Sequence, residues 1–242
     1  MPESTMLVLI HGHGVDASIW DGIYADLSVT IPVLKPDFAQ LANHETIEAY
    51  AEDLHARLQS VQVTGVKLVG HSMGGYIALA FAERYPNLVK GICLFHSTAY
   101  ADDEAKKEQR RQVMTKLNAE GSRAFLQTAI TNMFAPDNRD KMRDTVVSLI
   151  EQYSDLPKEA LYAGIQAIMS RTDRTQVLQQ ASYPVMIVAG RYDQLVPFEK
   201  SQQLADAIPS IKLTVLEESG HLGMIEEPKA ALAAIQSFVA EQ

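Results

Sequence analysis

A serine hydroxyl becomes a nucleophile when a neighbouring base takes its proton, and the base serves best when an acid fixes its tautomer. Three positions in this chain have the residue types and settings for such a relay. Ser72 lies in Gly70-His71-Ser72-Met73-Gly74, with Gly75 next. The apolar run 66–69 before it reads as a buried strand. The run 75–84 after it has helical spacing and stops at Tyr85-Pro86. A strand, a glycine-flanked turn and a helix expose a serine at the helix N-terminus, where the amide of Met73 faces a developing oxyanion. Asp193 follows the strand-like run 184–190, and His221 follows the strand-like run 212–216. Both are expected just past the C-terminal ends of strands, where ligands bind in open parallel sheets. Ser72 is thus the expected nucleophile, His221 its base and Asp193 the orienting acid.

A fourth part stands at the front. His11-Gly12-His13-Gly14 follows the apolar strand 6–10 at once. A glycine-flanked loop there offers a backbone N–H toward the nucleophile, expected to be that of His13, which with Met73 makes a two-donor oxyanion hole. The rival reading of His11-x-His13 as a metal site requires further ligands converging from elsewhere, and no partner motif is visible. His11 is expected to pack beneath the loop and bond backbone, and His13 to line the mouth of the site.

These four elements, in the order Ser72, Asp193, His221, resemble the α/β-hydrolase family over nearly the whole chain. The front segment from His11 to Trp20 is similar to the pimeloyl-ACP methyl ester esterase type of carboxylesterase, in which H-G-x-G precedes a helix carrying a tryptophan. The resemblance implies the triad Ser72–His221–Asp193 and the His13 and Met73 oxyanion amides. In some relatives the acid comes from the loop after the fourth strand, which makes Asp102 or Asp103 the alternative to Asp193. Two departures stand out. Only Met1 to Thr5 precede the first strand, where relatives carry a hairpin, and Asp37-Phe38-Ala39-Gln40 replaces their glycine-rich turn.

The elements that must hold these residues alternate. Strands are expected at 6–10, 31–36, 66–69, 91–95, 184–189 and 212–216, with helices at 18–28, 45–61, 73–84, 198–208 and 228–240. Such alternation means an α/β fold with a parallel sheet of about six strands, doubly wound and covered on both faces. The family order is 2-1-3-4-5-6. Pro32, Lys35 and Pro36 suit an edge for the second strand, which favours a monomer and leaves a dimer open through another surface.

Residues 97–182 break the alternation with helical stretches at 103–119, 123–134, 139–153, 158–171 and 173–180. Asp102 or Asp103 is expected to cap the first of these and Asp137 or Asn138 the third. This segment is expected to be a helical cap inserted in a core made of 1–96 and 183–242. It carries 12 basic and 12 acidic residues, so the chain's net charge of −9 lies entirely on the remainder. Phe125 and Phe134 lie on an apolar stripe of the cap and are candidate pocket residues. Lys106, Lys107, Arg110 and Arg111 would either steer an anionic substrate or carrier, or form a solvated face with Glu104 and Glu108.

At 242 residues and 47% hydrophobic content the chain can bury a sizeable core. The acidic balance excludes nucleic acid as partner. No run is long enough for a membrane span, and the single cysteine, Cys93, argues for the cytoplasm. The expected activity is hydrolysis of small carboxylic esters, free or carrier-linked, through an acyl-enzyme with neither metal nor organic cofactor. The alternatives keep the same triad for a C–C, thioester or amide bond, or retain it in a ligand receptor with slow turnover.

Overall fold

Alternate side chains of a strand face opposite sides of its sheet, and here both sides are apolar. The computed structural model describes residues 5–61 and 63–241. One sheet is built of β1 (Thr5–Ile10), β2 (Val33–Leu34), β3 (Gly65–His71), β4 (Val89–Phe95), β5 (Val185–Gly190) and β6 (Ile211–Leu216). The strands are all parallel, in the order β2-β1-β3-β4-β5-β6. That is the expected order. Val8 and Ile10 belong to the core cluster that includes side chains of α2 (Ile47–Ser60), α3 (Met73–Arg84) and α9 (Phe198–Ala207), whereas Leu7 and Leu9 belong to the one that includes α1 (Asp21–Ser28) and α11 (Pro228–Ala240).

The second strand is shorter than the expected 31–36. Pro32 and Pro36 lack the N–H a ladder needs, so pairing is confined to Leu7–Val33 and Val8–Leu34, supported by Leu7 N–H donating to Pro32 O at 2.9 Å. Residues 1–4, ahead of β1, lie outside the described residues.

Between β4 and β5 run α4 (Glu104–Met133), α5 (Pro136–Lys141), α6 (Arg143–Tyr153), α7 (Lys158–Ser170) and α8 (Thr175–Gln179). The two helices expected at 103–119 and 123–134 are the arms of α4, bent at Gly121, whose φ of 82° suits glycine. Asp103 caps α4 by accepting from Lys106 N–H at 2.8 Å. The helix expected at 139–153 is divided at Met142, because Pro136 at the first helical turn starts α5 early. Asn138 caps nothing; its amide donates to Glu218 O and to Glu226, both at 2.8 Å. The arms of α4 pack against α6 and α7. A short α10 (Gly223–Glu226) precedes α11. No described helix is long and apolar enough to cross a membrane. Cys93 is buried in β4, and burial pushes its thiol pKa far up, so it stays a protonated core side chain.

Candidate active site

Ser72 joins β3 to α3 with φ 52° and ψ −117°, a left-handed backbone that a non-glycine residue holds only under constraint. The constraint is visible on both sides. Ser72 N–H donates to Phe95 O at 3.0 Å, and Ser97 Oγ donates to Ser72 O at 2.7 Å. The loop after β1 presses on the same residue. A Cβ added at Gly12 would lie 3.0 Å from Ser72 Cβ and 2.7 Å from His71 Nδ1, so only glycine lets the His11–Gly14 loop approach this closely. Met73 opens α3, and its amide therefore has no intrahelical acceptor.

The structure brings His221 and Asp193 together. His221 Nδ1 donates to Asp193 Oδ2 at 2.7 Å, and both side chains are buried. Asp193 Oδ1 accepts from the backbone N–H of Leu195 and Val196, each at 2.9 Å. Burial pushes the carboxyl pKa upward, but the charge and hydrogen bond of His221, with His96, outweigh it and hold Asp193 well below the usual carboxylate range. The backbone of His221 is fixed by its N–H to Met133 O at 2.6 Å, and its carbonyl accepts from His71 Nε2 at 2.9 Å. The His71 ring, next to Ser72 in the chain, lies 4.9 Å from the His221 ring. Burial keeps His71 neutral by pushing its pKa well down. His221 Nε2 is buried without a hydrogen-bond partner, and none joins it to Ser72 Oγ among the described residues.

His96 was not anticipated. It stands at the C-terminal end of β4 with φ 49°, and its Nδ1 lies 3.3 Å from Asp193 Oδ2. Gly223 N–H reaches its Nε2 at 3.2 Å and Gly190 N–H its Nδ1 at 3.1 Å. A neutral ring has one acceptor nitrogen. Placing the proton on Nδ1 gives the anionic Asp193 a second imidazole donor and leaves Nε2 to accept from Gly223, and it forgoes acceptance from Gly190 N–H at Nδ1. Burial lowers the His96 pKa, against the raising pull of Asp193, so the ring is neutral. The one signal in the sequence was its position just past a strand end, shared with Asp193 and His221.

The alternative acids lie elsewhere. Asp102 is paired with Arg110 and with Arg171, the latter at 2.8 Å. Burial alone would raise its pKa, but the two guanidinium groups lower it. Asp103 is the α4 cap.

His13 lies at the mouth of the cavity over Ser72 and donates Nε2–H to Leu161 O at 2.8 Å. Although part of the ring is open to that cavity, burial pushes its pKa down to about 4. His11 sits beneath the loop with both nitrogens engaged, Nδ1 with Gly12 O at 2.7 Å and Nε2 with Phe38 N–H at 2.9 Å.

The cavity holds about 180 Å³ and is lined by Ser72, His13 and the apolar side chains of Phe125, Met133 and Ile165 among others. Phe125 thus takes the expected place. Phe134 does not. It is fully buried in the core cluster and absent from the cavity lining. The reason is that α4 ends at Met133, and Phe134, with extended φ/ψ of −80° and 148°, leaves the helical stripe and turns into the core. Of the four cations near the start of α4, Lys107 pairs with Glu104 and Arg111 with Glu108, while Lys106 and Arg110 line the cavity.

The fold belongs to a known class. Residues 7–228 match the alpha/beta hydrolase fold family, and the chain is a member of it. Among relatives, it is 26% identical to the pimeloyl-[acyl-carrier protein] methyl ester esterase of Neisseria meningitidis over 99% of this chain and 78% of that protein. It is also 26% identical to the pyrrolizixenacetamide deacetylase of Xenorhabdus hominickii over 96% of this chain and 90% of that one. Among solved structures, a thermophilic esterase from Thermogutta terrifontis superposes with a TM-score of 0.90 at 26% identity, covering 98% of this chain and 89% of the other.

Proposed function

We propose that the protein is a serine hydrolase that cleaves carboxylic esters of small acyl substrates through an acyl-enzyme. The observation that carries this reading is the buried His221, whose Nδ1 is committed to Asp193 and whose Nε2 has no partner. Unpartnered buried ring nitrogens also occur at His44 and His71; His221 differs in that its other nitrogen is held by a buried carboxylate, the pairing a general base requires. In the proposed reaction Nε2 takes the proton from Ser72 Oγ as that oxygen bonds to the ester carbonyl carbon. The amides of His13 and Met73 hold the oxyanion. The carbon–alkoxy bond then breaks, His221 returns the proton to the leaving alcohol, and it next activates water to free the acid. Hydrogen bonds of this kind are often long before substrate binds. We assign α4 to α8, within 97–182, to a cap that sets which acyl groups fit, over a core that carries out the chemistry. The small cavity favours short acyl groups. The likeness to an esterase relative and an esterase structure, each at 26% identity, supports ester hydrolysis.

Ser72→Ala should lower turnover of short-chain p-nitrophenyl esters by roughly 10⁴ or more while leaving the fold intact. A serine-directed phosphonate should label Ser72 alone. Labelling at another residue, or near-normal turnover by the alanine variant, overturns the reading.

A further inference from the structure

The cavity over Ser72 is apolar apart from His13, Ser72, Tyr76 and two cations, Lys106 and Arg110, and no acidic side chain lines it. The two cations are four residues apart near the start of α4, so they share one helix face. They differ in how fully they are neutralised. Arg110 engages Asp102 through Nε and Nη2. Asp102 is at the same time bound to Arg171, which stacks on Tyr76 at 4.1 Å and donates to Ile168 O and Tyr100 O. One carboxylate therefore serves two guanidinium groups, leaving this buried cluster with one net positive charge. Lys106 has no ion-pair partner among the described residues, in contrast with Lys107 and Arg111 one position further round the helix. It is also where space converges. Two further cavities, of about 380 and 360 Å³, open beside the first, and Lys106 and Leu195 line all three.

Lys106 is half-buried at a cavity junction, one turn from an arginine that shares its carboxylate with Arg171. Asp102 and Asp103 line the second cavity with it, but the first serves two arginines and the second caps α4, and neither forms an ion pair with Lys106. A substrate anion would supply the missing partner. The chain's net charge of −9 gives no long-range attraction for such a substrate, so its recognition has to be local and short-ranged.

We propose that Lys106, seconded by Arg110, is a specificity site for a carboxylate carried by the substrate itself, a few bonds from the scissile ester. The proposal rests on the serine-esterase reading for the chemistry and adds the class of substrate: esters that bear one free carboxylate, on the acyl or the alcohol side.

The test uses the purified full chain and compares monomethyl with dimethyl esters of succinate, glutarate and adipate, and O-acetyl-lactate with its methyl ester. The first set places the anion on the acyl side, the second on the alcohol side. At low salt, kcat/KM should favour the anionic ester at least tenfold in one of the two sets, mainly through KM, and the preference should fall in about 0.5 M NaCl as screening grows. Lys106→Met should cut that ratio about tenfold, Lys106→Arg should keep most of it, and Lys107→Met, outside the cavity, should leave it unchanged. Neutral esters cleaved as well as anionic ones throughout, or a ratio insensitive to Lys106→Met, overturn the anion site while leaving the esterase reading standing. If no ester is cleaved, the esterase reading fails. Calorimetry with glutarate and lactate then decides the anion site, which demands binding by the wild type that weakens about tenfold in Lys106→Met. Absence of binding refutes it.

Discussion

Replacing Asp193 by asparagine alters two atoms of the site and discriminates sharply between roles. The carboxylate Oδ1 accepts from Leu195 and Val196 N–H at 2.9 Å, and Oδ2 accepts from His221 Nδ1 at 2.7 Å with His96 Nδ1 at 3.3 Å. An asparagine oxygen keeps the two backbone donors only by taking the Oδ1 position. That places an NH₂ donor where Oδ2 stood, opposite two imidazole nitrogens. His221 must then accept at Nδ1, its proton moves to Nε2, and Nε2 no longer takes the proton of Ser72. The flipped rotamer is no better, because it turns the NH₂ against two backbone donors. Loss of the reactive tautomer costs about 10⁴ in turnover where it has been isolated, equivalent to about 5.5 kcal/mol of barrier.

The comparison is Asp102→Asn, which also removes a buried charge but leaves Arg110 and Arg171 facing a neutral amide. Breaking one partner of a buried pair costs about 3–5 kcal/mol of stability, a fall in Tm of roughly 6–20 °C at this size. The acylation rate of the folded variant on a neutral ester should remain within about tenfold of wild type, since Asp102 makes no contact with His221. Single-turnover release of p-nitrophenolate from p-nitrophenyl acetate measures the acylation step for each variant, and a thermal melt measures the other axis. If Asp193→Asn loses less than tenfold, or Asp102→Asn loses as much as Asp193→Asn while still folded, the assignment of the acid is wrong.

The two cap phenylalanines should part in the same way. Phe134→Ala should cost about 3–5 kcal/mol in urea unfolding with no change in acyl preference. Phe125→Ala should move the chain-length optimum of p-nitrophenyl esters upward, each extra buried methylene adding up to about 0.8 kcal/mol; a shift produced by Phe134 instead would contradict their placement. Stability should also fall with acid. His13 is held near pKa 4 against about 6.5 in the unfolded chain. Its contribution is therefore full above about pH 6.5 and lost as pH falls to about 4, a ceiling near 3 kcal/mol. His71 and His96 are lowered too and add in the same sense. Asp193, lowered as a carboxylate, adds its loss only below about pH 4. Urea midpoints at about pH 7.5 and 5 read the slope, and His13→Gln should flatten it; equal midpoints for the wild type would refute the argument.

What the sequence displays openly is chemistry under steric constraint. The glycines around Ser72 cluster in the chain because the tight turn is local, and Asp193 and His221 stand in the short loops that follow apolar strands. Alternation implied a parallel sheet, its strand order came from the resemblance to the α/β-hydrolase family, and Pro32 and Pro36 suited β2 to an edge. His96 was hidden because its meaning depends on a pairing: β4 lies beside β5, with Phe95 opposite Val188, so the residues just past both strand ends meet. No spacing within Phe95-His96-Ser97 contains that. Phe134 misled for the opposite reason. A helical stripe names a face, but a side chain at the helix terminus obeys the next φ/ψ, which turned it into the core.

The cap cations show the same divide at finer grain. Lys106, Lys107, Arg110 and Arg111 are equivalent in composition, and a helix assignment separates them into two adjacent faces. Which face meets the cavity is set by how α4 bends at Gly121 and seats on α6 and α7, a matter of packing between elements distant in sequence. The proposed nucleophile, acid and base are therefore readable from short windows, whereas the proposed substrate choice depends on the rotation of one helix. Two chains with the same three reactive residues and a cap helix turned by one position would expose Lys107 and Arg111 instead. Those cations are occupied by Glu104 and Glu108, and such a chain would offer an anion no uncompensated charge at the cavity.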